Sequence, residues 1–109
     1  MKVYCGRVNS SGGARHVVVE DDSLGTRELD PRLDLANHSP TGLNWGYGGS
    51  GPAQTALAIL ADALGDDQRA VRLHQAFKFR VITDLPMNEP WVLTLPTVMT
   101  AVRDLERRA

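Results

Sequence analysis

An α+β fold, a small antiparallel sheet packed with three helices, follows from three features of the 109-residue chain. Two β-branched runs flank a Gly-rich break near the start. A strongly apolar segment at helical spacing runs from Ala53 to Leu64. Two later stretches, 67–76 and 95–107, each carry an apolar stripe bounded by helix-start or helix-stop residues. At this length one domain with one core is expected, burying about two-thirds of the surface the unfolded chain exposes.

The elements are justified in order. "KVYCGRV" at 2–8 is β-prone, weakened by Gly6, and "ARHVVVED" at 14–21 is a second β-branched run. "NSSGG" at 9–13 between them is turn chemistry, so the pair reads as a hairpin with a longer loop. Asp21, Asp22, Ser23 and Gly25 mark a solvated turn. "RELDPRLDL" at 27–35 alternates around its leucines, but Pro31 cannot donate to a ladder, which predicts an edge strand or extended arm.

The first helix, over about 52–64, is the strongest prediction. Ala53, Ala56, Leu57, Leu60, Ala61 and Leu64 recur at i, i+3, i+4, i+7. Ala58, Ile59 and Ala63 add apolar surface on other sides, so the helix should sit in the middle of the fold. Pro52 suits its first turn, Ser50 or Gly51 its N-cap, and Gly65 its C-terminal stop. Asp66 or Asp67 then caps a second helix to about Ala76. "FKFRVI" at 77–82 alternates as a strand, "DLPMNEP" at 84–90 is a loop, and "WVL" at 91–93 reads as a short strand. Thr94 caps the last helix, with Pro96 in its first turn and Val98, Ala101, Val102 and Leu105 as its stripe.

Composition removes several classes of function. A formal net charge of −1 gives no general attraction to nucleic acid or to an anionic membrane. Cys5 is the one cysteine, so no intrachain disulfide can form. No signal-peptide core and no apolar run near bilayer length is present, so no membrane association and a cytoplasmic location are expected.

The chemistry-bearing stretch is "NHSPTGLNWGYGGSGPAQTALAIL", Asn37 to Leu60, where five glycines fall between Gly42 and Gly51 beside Trp45 and Tyr47. "GYGGSG" at 46–51 satisfies G-x-G-x-x-G, but no buried strand precedes it and no acidic residue ends a following strand. It lacks the G-K-[ST] of a phosphate-binding P-loop as well. What survives is more general. A Gly-rich turn feeding a helix N-terminus exposes amides and the positive end of the dipole, where an anion can dock. Pro52 removes one donor and leaves the Ser50, Gly51 and Ala53 amides and the Ser50 hydroxyl. Trp45 or Tyr47 offers a face to a planar group. The candidate ligand-binding set is Asn37, His38, Ser39, Thr41, Trp45, Tyr47, Gly49, Ser50, Gly51 and Gln54. Against it stands a purely architectural reading, in which the glycines provide positive φ or close packing and the aromatics are core.

The remaining residues carry weaker signals. His16, His38 and His74 have no metal spacing, and no metal or cofactor is expected. His38 beside Ser39, with Ser50 downstream, lacks the G-x-S-x-G elbow of a hydrolase. Cys5 reads as a small core residue. On a strand, Lys78 and Arg80 would share one face and Phe77, Phe79 and Val81 the other. The charged face is then solvated or, with Arg7 or Arg15, contacts phosphate.

The block Asn37–Leu60 resembles the signature of a family of small proteins of unknown function in bacteria and their phages. Its members read close to N-H-S-P-x-G-F-x-W-G-Y-x-G-S-G-P-A-Q-L-A-L-A-I-L. A looser likeness covers "MKVYCGR" and "FKFRVITDLP" followed by Trp91. This chain departs at Leu43, where an aromatic is common, and at Thr55, where a leucine is common. The resemblance implies no activity. Thr55 places a hydroxyl on a buried helix, and that hydroxyl must find a partner.

Three functional readings compete. The first is a binding module for a small anionic or nucleotide-like ligand at the Gly-rich loop. The second is a protein–protein interaction or regulatory domain, engaging a host protein or a second copy through Trp45, Tyr47 and Trp91. An enzyme is third and least favoured, since only His38 with Ser39, Ser50 or Asp34 could supply a nucleophile and base.

Overall fold

The computed structural model describes residues 1–9 and 15–108. The Gly-rich turn expected at 9–13 lies, apart from Asn9, outside the described residues. Four strands, β1 (Val3–Val8), β2 (Arg15–Asp21), β3 (Gly25–Glu28) and β4 (Trp91–Thr94), form one antiparallel sheet in the order β3-β2-β1-β4. Three helices, α1 (Ser50–Leu64), α2 (Asp67–Arg80) and α3 (Leu95–Arg108), complete the α+β fold, with a short 3-10 turn at Ile82–Asp84.

The register explains the inner face of the sheet. Arg27, Val19, Tyr4 and Leu93 stand in one cross-strand row, and Val17, Gly6 and Trp91 in the next. Gly6 is small because the Trp91 indole lies across it, where a Cβ would collide. β3 is the sheet edge. It ends at Glu28, three residues before Pro31, and the chain then turns through Arg32, whose φ of 57° is left-handed. Asp30 Oδ1 accepts from the Arg32 amide at 2.9 Å. The Arg32 guanidinium bridges Asp34 and Asp67, tying this arm to the start of α2.

α1 is the central element, as its all-round apolarity requires: every residue from Gly51 to Ala61 is buried. It packs against α2 and α3 and shares one core with Tyr4, Val17, Val19 and Leu93 of the sheet. Its N-cap is Gly49, one residue before the expected Ser50 and two before the expected Gly51, and Gly65 closes its C-terminus at φ 61°. Asp66 caps α2 by accepting from the Arg69 amide at 3.1 Å, and Thr94 caps α3 by accepting from the Thr97 amide at 3.2 Å.

One expected element is overturned. Residues 77–82 are not a strand: α2 continues four residues beyond Ala76 to Arg80, and Val81 caps it. Its buried stripe, Ala70, Leu73, His74, Phe77 and Lys78, keeps the i, i+3, i+4 period. Phe77 is therefore core, while Phe79 is 62% exposed beneath the Lys78 ammonium, 4.1 Å from its ring. Lys78 and Arg80 do not share a strand face with Arg7 or Arg15. The Arg80 guanidinium instead pairs with Asp104 of α3.

Candidate functional site

The segment between Leu35 and α1 has no regular structure, and it is held by side chains of α1. Thr55 Oγ1 accepts from the Asn44 amide at 3.0 Å and reaches the Asn44 carbonyl at 2.6 Å and the Gly51 carbonyl at 3.1 Å. The hydroxyl in a fully buried position thus has its partners. Gln54, also fully buried, accepts at Oε1 from the His38 amide at 2.8 Å and the Ser39 amide at 3.3 Å. It donates from Nε2 to the Pro31 carbonyl at 2.6 Å. Gln54 is therefore an internal brace, with its polar atoms committed to backbone.

Several glycines have specific structural reasons. Gly46 takes φ 86°, and a Cβ there would stand 2.7 Å from Met87 Cα and 2.9 Å from the Leu85 carbonyl. The Tyr47 ring lies over Gly49, and a Cβ on Gly51 would approach Asn44 Cβ to 2.6 Å and the Tyr47 hydroxyl to 3.1 Å. Trp45 is completely buried and meets Trp91 edge-on, ring centroids 5.2 Å apart. It cannot stack on a ligand.

Beside this braced loop lies a surface cleft of about 340 Å³ lined by Arg15, Ser39, Thr41, Gly42, Leu43, Asn44, Tyr47, Ser50 and Gly51. Half of the ten expected residues line it: Ser39, Thr41, Tyr47, Ser50 and Gly51. Gly49 sits next to it as the α1 N-cap. Asn37 is exposed and outside the cleft, His38 is turned toward α2, and Trp45 and Gln54 are interior. Tyr47 is 40% exposed and its hydroxyl accepts from Asn44 Nδ2 at 3.3 Å. The Ala53 amide is taken by the Gly49 carbonyl at 3.1 Å, which removes one of the three expected donors. The Ser50 and Gly51 amides have no protein partner among the described residues.

Arg15, which the sequence offered only as a phosphate-contacting partner of Lys78 and Arg80, is not among the ten expected residues. It is the first residue of β2, opposite Val8, and among the described residues the only charged side chain lining the cleft. Its guanidinium lies over Trp45, 5.8 Å from the ring, and Nη2 donates to Asn88 Oδ1 at 2.5 Å. Its Nε is buried and has no hydrogen-bond partner among the described residues. Among the described residues no carboxylate lines the cleft, so its one lining charge is positive although the chain is slightly acidic overall.

A second convergence was discounted on spacing alone. His38 Nε2 and His74 Nε2 lie 2.9 Å apart, and His74 Nδ1 is 2.6 Å from the Val71 carbonyl. Burial, with His38 and Lys78 as neighbours, pushes the His74 pKa below the usual histidine value. Among the described residues no group of three or more His, Cys, Asp or Glu side chains could hold a metal ion.

The architecture and this loop-and-helix arrangement define a small α+β protein organised around a Gly-rich helix entry. The chain belongs to the family of unknown function DUF6166, whose model matches residues 4–104. Neither a curated protein nor a solved structure matches it significantly.

Proposed function

We propose that the protein is a binding module for a small anionic ligand, of the phosphate-ester or nucleotide-like kind, held in the cleft between the start of β2 and the N-terminus of α1. The observation that carries this reading is Arg15. A guanidinium whose buried Nε has no partner among the described residues stands at the same cleft as two amides of a fifteen-residue helix that likewise have none. Helix-end attraction contributes about 0.3–2 kcal/mol. A charge-assisted guanidinium contact adds about 1.5–3 kcal/mol. The hydroxyls of Ser39, Thr41 and Ser50 supply further donors, and Tyr47 is the one aromatic at the cleft for a planar group.

Binding is favoured over catalysis because, among the described residues, no histidine or carboxylate lines the cleft and His38 is committed to His74. A second reading, a protein partner, draws on Tyr47, Phe79 and Met87, three exposed apolar side chains that flank the glycines at 46–49.

Calorimetric titration with inorganic phosphate and a panel of nucleoside mono- and cyclic phosphates tests the first reading. Binding by at least one ligand, weakened roughly tenfold or more in Arg15→Gln, is expected. No heat at millimolar ligand, or equal affinity in Arg15→Gln, contradicts it.

A further inference from the structure

The His38–His74 contact joins the cleft's loop to α2, and its proton inventory is constrained. His74 Nδ1 lies 2.6 Å from the Val71 carbonyl, an acceptor, so this nitrogen carries hydrogen. In the neutral ring His74 Nε2 is then a bare lone pair. His38 Nε2, 2.9 Å away, must donate. The ring centroids are 5.1 Å apart, so both nitrogens lie near the line joining the rings. That head-on geometry suits one shared hydrogen.

We propose that this bond is a proton-gated latch on the cleft. It closes the loop onto α2 while one of the two facing nitrogens carries hydrogen, and acid opens it by placing hydrogen on both. The inference rests on the anion-binding reading for its consequence but not for its mechanism. A proton added to His38 Nδ1 leaves the bond intact. A proton on His74 Nε2 sets two N–H groups against each other. The groups facing the pair are Lys78 on α2, a cation, and the neutral Gln54 of α1, which holds the His38 amide. No carboxylate bonds either ring among the described residues to soften a second charge.

Opening removes one anchor of the segment from His38 onward and leaves it held by Gln54 at His38 and Ser39 and by Thr55 at Asn44. Ser39, Thr41 and Asn44 of that segment line the cleft, so ligand affinity falls with the latch. The sign opposes a simple charge argument, in which protonating histidines near an anion site strengthens binding.

The histidine step is read first in the unliganded protein. Amide exchange, corrected for its intrinsic pH dependence, is followed at His38 and Ser39, whose amides bond Gln54. From neutral pH to about pH 5, their protection should fall roughly tenfold more than that of Leu57 and Leu60. In His38→Phe this extra acid sensitivity should vanish. Equal pH response in wild type and His38→Phe overturns the latch. So does a nitrogen-15 imidazole spectrum showing hydrogen on His74 Nε2 at neutral pH. The consequence is read with sulfate, whose charge is constant over this range. Wild-type affinity should weaken roughly fivefold or more in acid, and that of His38→Phe should not. Acid-strengthened sulfate binding in wild type overturns the coupling to the cleft. Absence of sulfate binding at neutral pH overturns the anion reading and leaves the exchange result to decide the latch.

Discussion

Thr55 shows how one side chain can organise a loop. Its hydroxyl engages both backbone groups of Asn44, and Asn44 is the residue whose Cβ and amide pack on Gly51 and Tyr47. Replacing Thr55 by the isosteric Val strands a buried amide and carbonyl. A loss of about 1–3 kcal/mol in urea denaturation is expected, although the volume is unchanged. Retention of full stability would mean that water replaces the hydroxyl without cost. Gly51 is constrained from the other side. Gly51→Val must push Asn44 and Tyr47 aside, and a cost of about 1–3 kcal/mol is expected. Glycine density here has two sources, packing of Tyr47 and Asn44 and access to the helix end. A sequence alone does not separate them.

At the scale of elements, α2 carries the main lesson. Phe77, Phe79 and Val81 alternate, which reads as a strand, yet Phe77 lies one turn after Leu73 and His74 and continues their buried stripe. The tertiary groove against α1 decides between two periods that six residues cannot distinguish. The consequence is measurable. Phe77→Ala should destabilise by about 3–5 kcal/mol, since Phe77 is fully buried. Phe79→Ala should change stability by less than about 1 kcal/mol. Similar large losses at both positions would restore the strand pattern. Elements whose signals were local were legible: the helix over 52–64 with its Gly65 stop, and caps at Asp66 and Thr94, whereas the edge strand expected over 27–35 is instead Gly25–Glu28, with Pro31 beyond its end. The polar lip of the cleft was legible too, because Ser39, Thr41, Tyr47, Ser50 and Gly51 are near one another in the chain. Arg15 was legible only as a partner of Lys78 and Arg80, because the β1–β2 register brings it to this cleft from more than twenty residues upstream. The His38–His74 contact depends equally on how α2 docks.

At the scale of the whole molecule, the sheet is fastened to α1 by one carboxylate. Asp62 accepts from Arg27 Nη2 at 2.7 Å, the Tyr4 hydroxyl at 2.7 Å and Lys2 Nζ at 3.2 Å. Burial alone would raise the Asp62 pKa, but the hydrogen bonds from Arg27, Tyr4 and Lys2 outweigh it and hold the carboxyl below the usual range. Burial, with the bond to Asp62, moves the Tyr4 phenol far upward. Because the folded-state Asp62 value is depressed, its contribution is fully present above the ordinary carboxylate value. It is lost as pH falls through the lowered one. His74 also has a depressed folded-state value. Its contribution is present above 6.5 and declines as the unfolded chain takes up a proton below that. Urea midpoints across pH should therefore show two acid-side losses, the lower of which is reduced but not abolished in Asp62→Asn, because Asp21, Asp34 and Glu106 are held low as well. No helix among the described residues is long and apolar enough to cross a membrane.

The most direct measurement is a nitrogen-15 NMR titration with inorganic phosphate at neutral pH. The account predicts saturable shifts centred on the Ser50 and Gly51 amides and the Arg15 Nε–H, with Leu57 and Leu60 unmoved. Saturable shifts elsewhere, or none at those three groups, would contradict it.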